Sequence, residues 1–321
     1  MSLLSLQGSV ELGIIYAIMA LGVFISFRTL DIPDLTVDSS FTLGAAFSAI
    51  LCTGGQPLAG IGAAFAAGCV AGSITALLHT KLKIQPLLAG ILVMLGLYSI
   101  NLKVMGNKAN IPLLNKTTVF NMFETMLENS KAAEYSHLIL PAVILLIILI
   151  MLFLFLKTKF GFVLRATGDN DQMVRALGVN TDFTILIGLA LANGLVAMSG
   201  ALIAQYQSFA DISMGIGMVI IGLASVIIGE VIFGSRPLLR RLIAVILGAI
   251  LYRLIIAFAL EMGMPPTDLK LVSAVIVALA MAMPVIKGHM ISLKKKIMPV
   301  LTRYLMLLKK RRTGNRQGGQ A

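Results

Sequence analysis

Ionisable side chains set inside apolar runs are the residues of this 321-residue chain whose placement could do chemistry. A charge at membrane depth is costly, so it persists with a task or a partner. Asp38 follows Asp31, Asp34 and Thr36 in DIPDLTVDSSF, Glu230 sits in GLASVIIGEVIFG shortly before Arg236, and Arg253 lies deep in a later apolar run. Two roles are open to Asp38: capping a helix, or lining a translocation path. Glu230 is expected to pair with a basic residue near it. Arg253 has Glu261, two turns along, or a neighbouring span as expected partner. Asn193, Gln205, Tyr206 and Gln207 are uncharged candidates for the same path, with interhelical hydrogen bonding as the competing explanation.

Catalytic constellations are missing from the sequence. His79, His137 and His289 are scattered, and neither His-Glu-x-x-His nor a paired-carboxylate spacing occurs. A Gly-x-x-x-x-Gly-Lys-Ser/Thr loop is also missing, so any nucleotide must bind a different polypeptide. Cys52 and Cys69 lie in apolar segments without metal-ligand spacing and read as packing thiols. The expectation is a protein that is not an enzyme and carries no cofactor or metal of its own.

The elements that must position these residues are membrane helices. The chain is 58% hydrophobic and 12% charged, with mean hydropathy +0.95. A soluble domain carries roughly twice that charge, and the apolar runs are too long and too continuous for β-barrel strands. The fold class is all-α polytopic, with about nine spans (eight to ten). They are read near residues 6–27, 34–51, 58–79, 85–102, 137–156, 183–206, 213–233, 238–260 and 268–286. The second is short, with a polar start, and is open to being re-entrant; the Gly-rich seventh is open to being broken. Residues 1–286 form the membrane domain.

With the N-terminus outside, twenty of the 26 Lys and Arg residues fall on the inner side, as the positive-inside rule requires. Arg28, Lys81, Lys83, Lys157, Lys159, Arg165, Arg175, Arg236, Arg240 and Arg241 are among them. Ten more lie in the tail, 287–321, where Ile297, Leu301, Tyr304, Leu305 and Leu308 recur at helical spacing. That pattern predicts a basic amphipathic helix on the inner leaflet, facing anionic lipid rather than nucleic acid, then a disordered end. The first 27 residues hold no Lys or Arg, so the first run is expected to stay as a span. The outer loop, 103–136, is expected to be irregular around Pro112. Its amphipathic piece from Val119 to Leu127 is read as an interfacial helix, a docking surface, or both.

One interior stretch looks both soluble and folded: residues 157–182, KTKFGFVLRATGDNDQMVRALGVNTD. Asp169 or Asn170 can cap a short helix from Asp171 to Leu177, and Gly178 can end it. At RATGDNDQMVRALGVNTDF the chain resembles the cytoplasmic coupling loop of ATP-binding-cassette importer permeases, in the branched-chain amino acid and simple-sugar permease family. Arg165, Ala166, Gly168, Asn170, Ala176, Gly178 and Asn180 match its Arg-Ala-x-Gly-x-Asn…Ala-x-x-Gly-Ile-Asn pattern, with Val179 for the usual Ile. The polar start and SFTLGAAFSA of the second span, and the Gly-rich late span, add to the likeness. The late span departs from the usual Gly-Gly-x-Gly-Ser, which points to a divergent branch, similar to permeases of aromatic amino acid importers.

The resemblance implies a permease subunit in a bacterial inner membrane, with its C-terminus in the cytoplasm. It implies cytoplasmic ATPase subunits holding ATP and Mg, a second permease subunit, and an extracytoplasmic substrate-binding protein. Arg165, Ala166, Gly168, Asp169, Asn170, Arg175, Ala176 and Gly178 would form the contact with the ATPase. The solute would be small and polar, an amino acid, with a nucleoside or sugar as alternatives. From another class, an ion-gradient-driven transporter would use Asp38 or Glu230 as its coupling carboxylate.

Overall fold

The computed structural model of the chain describes residues 3–127, 135–234 and 236–265, with isolated positions 268, 271–275, 278, 279 and 282 beyond. The first helix, α1 (Leu3–Val23), widens into a π-helical turn, Phe24–Thr29. Next come α2 (Thr36–Thr53), α3 (Pro57–Thr80) and α4 (Pro86–Val104). Pro57 and Pro86 each open their helix, where a missing N–H costs nothing and the fixed φ is already helical. A three-residue strand β1 (Asn110–Pro112) and α5 (Val119–Leu127) precede α6 (Ser136–Lys157). The polar stretch folds as α7 (Lys159–Asp169) and α8 (Asp171–Ala176). It is followed by α9 (Thr181–Gln207), β2 (Phe209–Asp211), α10 (Met218–Phe233) and α11 (Leu238–Glu261).

The bundle is built around α9, which packs against α1, α2 and α3, while α11 packs on α1 and α10. Leu189, Ala192, Val196, Ala197, Ala201 and Leu202 of α9 are wholly buried. In lipid no hydrophobic force separates helix from tail, so close van der Waals approach must hold the helices together. Gly68 and Gly72 on α3 supply it. A Cβ at either would overlap the backbone of Asn193 or Leu189 on α9. Leu92 and Leu95 on α4 and Leu146, Ile150 and Leu154 on α6 stay exposed, an outer surface suited to lipid.

Six helices are long and apolar enough to cross a membrane among the described residues: α1 with its π turn, α3, α4, α6, α9 and α11. The chain is an all-α, multi-pass membrane protein. Two of the nine expected spans are helices outside that set. Buried residues on almost every face of α2, from Thr36, Val37 and Ser40 to Ala49, face protein rather than lipid, which removes the need for a uniformly apolar surface. Helix α10 has only 16 residues, because residues 209–217 are spent on β2 and a turn. The ninth expected span lies largely outside the described residues, and so does the tail 287–321.

The loop after α4 corrects the expectation of irregular structure at Pro112. Asn110, Ile111 and Pro112 pair antiparallel with Asp211, Ala210 and Phe209. Helix α5 has the expected bounds. Its Phe120 is buried, stacked on His137 with ring centroids 5.5 Å apart and edge-on to Tyr206 at 5.6 Å. The helix is therefore anchored in the bundle, not merely laid on its surface.

Candidate functional site

The segment 157–182 forms an elbow and a short projecting helix. Thr158 caps α7, its Oγ1 accepting from Gly161 N–H at 3.2 Å. Asn170 caps α8, accepting from Met173 N–H at 2.9 Å, and Asn180 caps α9, accepting from Phe183 N–H at 3.2 Å. Two of the asparagines in the motif are thus N-caps. The other end of α8 closes in a Schellman turn. Gly178, at φ +83°, donates to Arg175 O at 2.9 Å, and Val179 donates to Val174 O at 3.4 Å.

Charges lace this helix to the bundle. Arg175 contacts Asp171 at 3.1 Å and Asp182 at 2.8 Å, and Lys81 reaches Asp182 at 3.1 Å. The hydrogen bond to Asp171, then the charges of Asp171 and Asp182, hold the Arg175 guanidinium above its ordinary pKa. Only Val174 of α8 is buried; Met173 and Leu177, one turn apart, are exposed. Gly168 lies against the π turn, where a Cβ would overlap Thr29 O. Arg165 turns inward, donating to Leu156 O at 3.2 Å and Gly161 O at 3.4 Å, so it braces the α6–α7 elbow. A cavity of about 270 Å³ beside the elbow is lined by Arg28, Arg165, Ala166, Asp169 and Arg241.

Within the bundle, polar side chains sort into separate groups. The Asn193 amide donates to Asp34 Oδ2 at 2.6 Å and Leu189 O at 3.1 Å, and accepts from Ser40 Oγ at 2.8 Å. Gln205 donates to Ser48 Oγ at 2.9 Å and Pro57 O at 3.1 Å, and accepts from Val119 N–H at 2.8 Å. One side chain thus ties α9 to α2, α3 and α5. Tyr206 donates to Glu11 at 2.8 Å. Asp38 accepts from Gly217 N–H at 3.0 Å and Val219 N–H at 2.8 Å, which caps α10, a helix 179 residues away in sequence. Glu230 is gripped by Arg28 at 3.0 Å and Arg241 at 2.6 Å. Both partners are basic, as expected, one from the π turn after α1 and one from α11.

The sequence profile described as branched-chain amino acid transport system, permease component, matches residues 5–284. The chain belongs to that permease family. A tyrosine transport system permease protein of Clostridioides difficile is 42% identical over 284 residues, covering 88% of this chain and 91% of that protein. An uncharacterised protein of Rickettsia prowazekii is 33% identical, covering 85% and 95%. An autoinducer 2 import system permease protein of Salmonella typhimurium is 33% identical over 75 residues, 23% of this chain and 22% of that one. No solved structure matches.

In this permease the four expected path residues do not converge. Asn193 and Gln205 spend their amides within the bundle, and Tyr206 is committed to Glu11. Asp38 borders a cavity of about 320 Å³ and Tyr206 a different one of about 410 Å³. Glu11 and Asp34 carry structural weight that spacing did not single out. Glu11 is the one charge in the first apolar run, and that was the available signal. Arg253 lies over the Tyr16 ring of the neighbouring α1, 5.0 Å from its centroid.

Proposed function

We propose that the chain is the membrane-spanning subunit of an ATP-binding-cassette importer that carries an amino acid inward. In this reading α8 is the coupling helix. Its construction carries the proposal: a short helix capped at both ends, laced to α3 and α9 through Lys81 and Asp182, with Met173 and Leu177 free to enter a groove. Such a helix is stiff enough to transmit a push. The partners in this reading are two cytoplasmic ATPase subunits with ATP and Mg, a second permease chain, and an extracytoplasmic binding protein. The membrane is the bacterial inner membrane, crossed nine times, with α8 and the C-terminus inside. The tyrosine permease relative favours an aromatic amino acid as solute.

The test is uptake of radiolabelled tyrosine into proteoliposomes holding the permease, its partner ATPase and binding protein. Uptake should require ATP and survive collapse of proton and sodium gradients. Uptake that follows an ion gradient without ATP refutes the reading. Of the two carboxylates a gradient-driven carrier would use, Glu230 is engaged by two arginines.

A further inference from the structure

The cavity bordered by Asp38 lies where α10 begins. Ser39 donates to Met94 O at 2.9 Å, near the middle of α4, and Asn101 Nδ2 donates to Ser39 O at 3.1 Å. The first turn of α10 therefore starts inside the bundle. Non-helical backbone at such depth is tolerated where it is buried in protein or lines a cavity. Gly215 sits flush on α2, where a Cβ would overlap Asp38 O and Thr42 Oγ1.

A helix N-terminus is ordinarily an anion site. Here Asp38 already occupies it and brings a negative charge to the cavity wall. A second polar atom has no partner: Asn101 Oδ1 is buried without a hydrogen bond, on a residue 1% exposed that lines the same cavity. A buried acceptor left unsatisfied costs about 1–3 kcal/mol, so this one calls for a donor. Among the described residues, no Lys, Arg or His lines the cavity. The remaining wall is apolar and aromatic: Met94, Tyr98, Ile212 and Ile216.

We propose that this cavity binds the substrate through a primary ammonium, held between Asp38 and Asn101 Oδ1, with an apolar or aromatic side chain against Met94, Tyr98 and Ile216. The proposal rests on the importer reading and assigns that reading a contact within the membrane domain. Ammonium chemistry has two sources: a soluble aromatic amine or amino acid, and a phosphatidylethanolamine headgroup. The site is assigned to the soluble one.

The test uses the complete transporter without its binding protein, in phosphatidylglycerol–phosphatidylcholine nanodiscs. A single cysteine at Ile216→Cys, in a Cys52→Ala, Cys69→Ala background, reports through its rate of maleimide labelling. Tyramine and tyrosine should slow labelling several-fold, while the deaminated acid 3-(4-hydroxyphenyl)propanoate should leave it unchanged. Asn101→Leu should abolish protection, and Asn101→Asp should strengthen tyramine protection, a gain that a misfolded variant cannot mimic. Equal protection by amine and acid, or by neither, overturns the site. Protection by added phosphatidylethanolamine and not by tyramine overturns the soluble assignment. ATP dependence of uptake is measured on the same preparation: if it holds while amine protection is absent, the site falls and the importer reading stands. If uptake needs no ATP, the importer reading falls, and the amine–acid comparison still decides the site.

Discussion

Replacing Gly178 by valine tests whether α8 acts as a rigid element. Gly178 has φ +83°, a region that costs an L-residue about 1–2 kcal/mol and more when the side chain is β-branched. No described atom lies within 4 Å of where its Cβ would stand, so the penalty is backbone strain and not collision. The turn it closes satisfies the carbonyls of Val174 and Arg175, and a helix of six residues has no length over which to absorb the loss. At about 1.4 kcal/mol per factor of ten, the closed-to-open ratio of the turn falls roughly 5- to 30-fold. Transport per ATP hydrolysed should fall in proportion in proteoliposomes. Amide exchange at 174–179 should rise by a similar factor in the permease alone. Gly178→Asn should stay near wild type, because asparagine tolerates the left-handed region, with Gly178→Ala between. Valine behaving like glycine, or asparagine failing as badly as valine, refutes the reasoning.

Three further outcomes follow from particular contacts. Gln205→Leu strands Val119 N–H and removes the hydrogen bonds to Pro57 O and Ser48 Oγ. At about 1–3 kcal/mol per stranded buried group, the apparent Tm in detergent should fall markedly and protease should reach 113–127; an unchanged digestion pattern counts against it. Gly72→Leu drives a side chain into the Leu189 backbone and should abolish recovery of monodisperse protein, whereas Gly62→Leu, with open space around it, should not. Glu230→Gln leaves Arg28 and Arg241 without their shared carboxylate and should destabilise by about 1–3 kcal/mol. The double variant with Arg241→Gln should cost less than the two singles added; strict additivity would show that the pair does not interact.

The sequence made the helices legible because lipid imposes length and apolarity on each span, and the polar stretch legible because capping is local. Asn170, Gly178 and Asn180 act within four residues of their own positions, so type and spacing suffice. Asp38 was harder. Its chemistry as a cap could be read, but the helix it caps is α10, and no local pattern couples residues so far apart. The same holds for β1 and β2, for Gln205 reaching three other helices, and for Glu230 drawing Arg28 from the far end of α1. Arg165 shows the same limit: its place in a polar loop is plain in the sequence, but its bonds to the carbonyls of Leu156 and Gly161 depend on the turn between α6 and α7.

These non-local contacts join into one line. Helix α8 continues from α7; Gly168 of α7 rests on Thr29; Arg28, next in the chain, holds Glu230 near the end of α10; and the start of α10 is held by Asp38 at the cavity wall. Helix α10 is thus pinned by charge at both termini, by arginines at one and by its own N–H groups on a carboxylate at the other. Contiguity alone does not establish coupling, which needs an element with two arrangements that both ends can bias. The turn of residues 212–217 and the π turn of α1 are the irregular backbone that could supply it, since neither is locked into an α-helical ladder. If α10 is such a strut, amine protection at the cavity should differ with and without ATP in the unmutated transporter; Glu230→Gln should abolish that difference as well as lower Tm, while Gln205→Leu, off this line, should keep it. Equal loss in both variants would reduce the strut to ordinary packing.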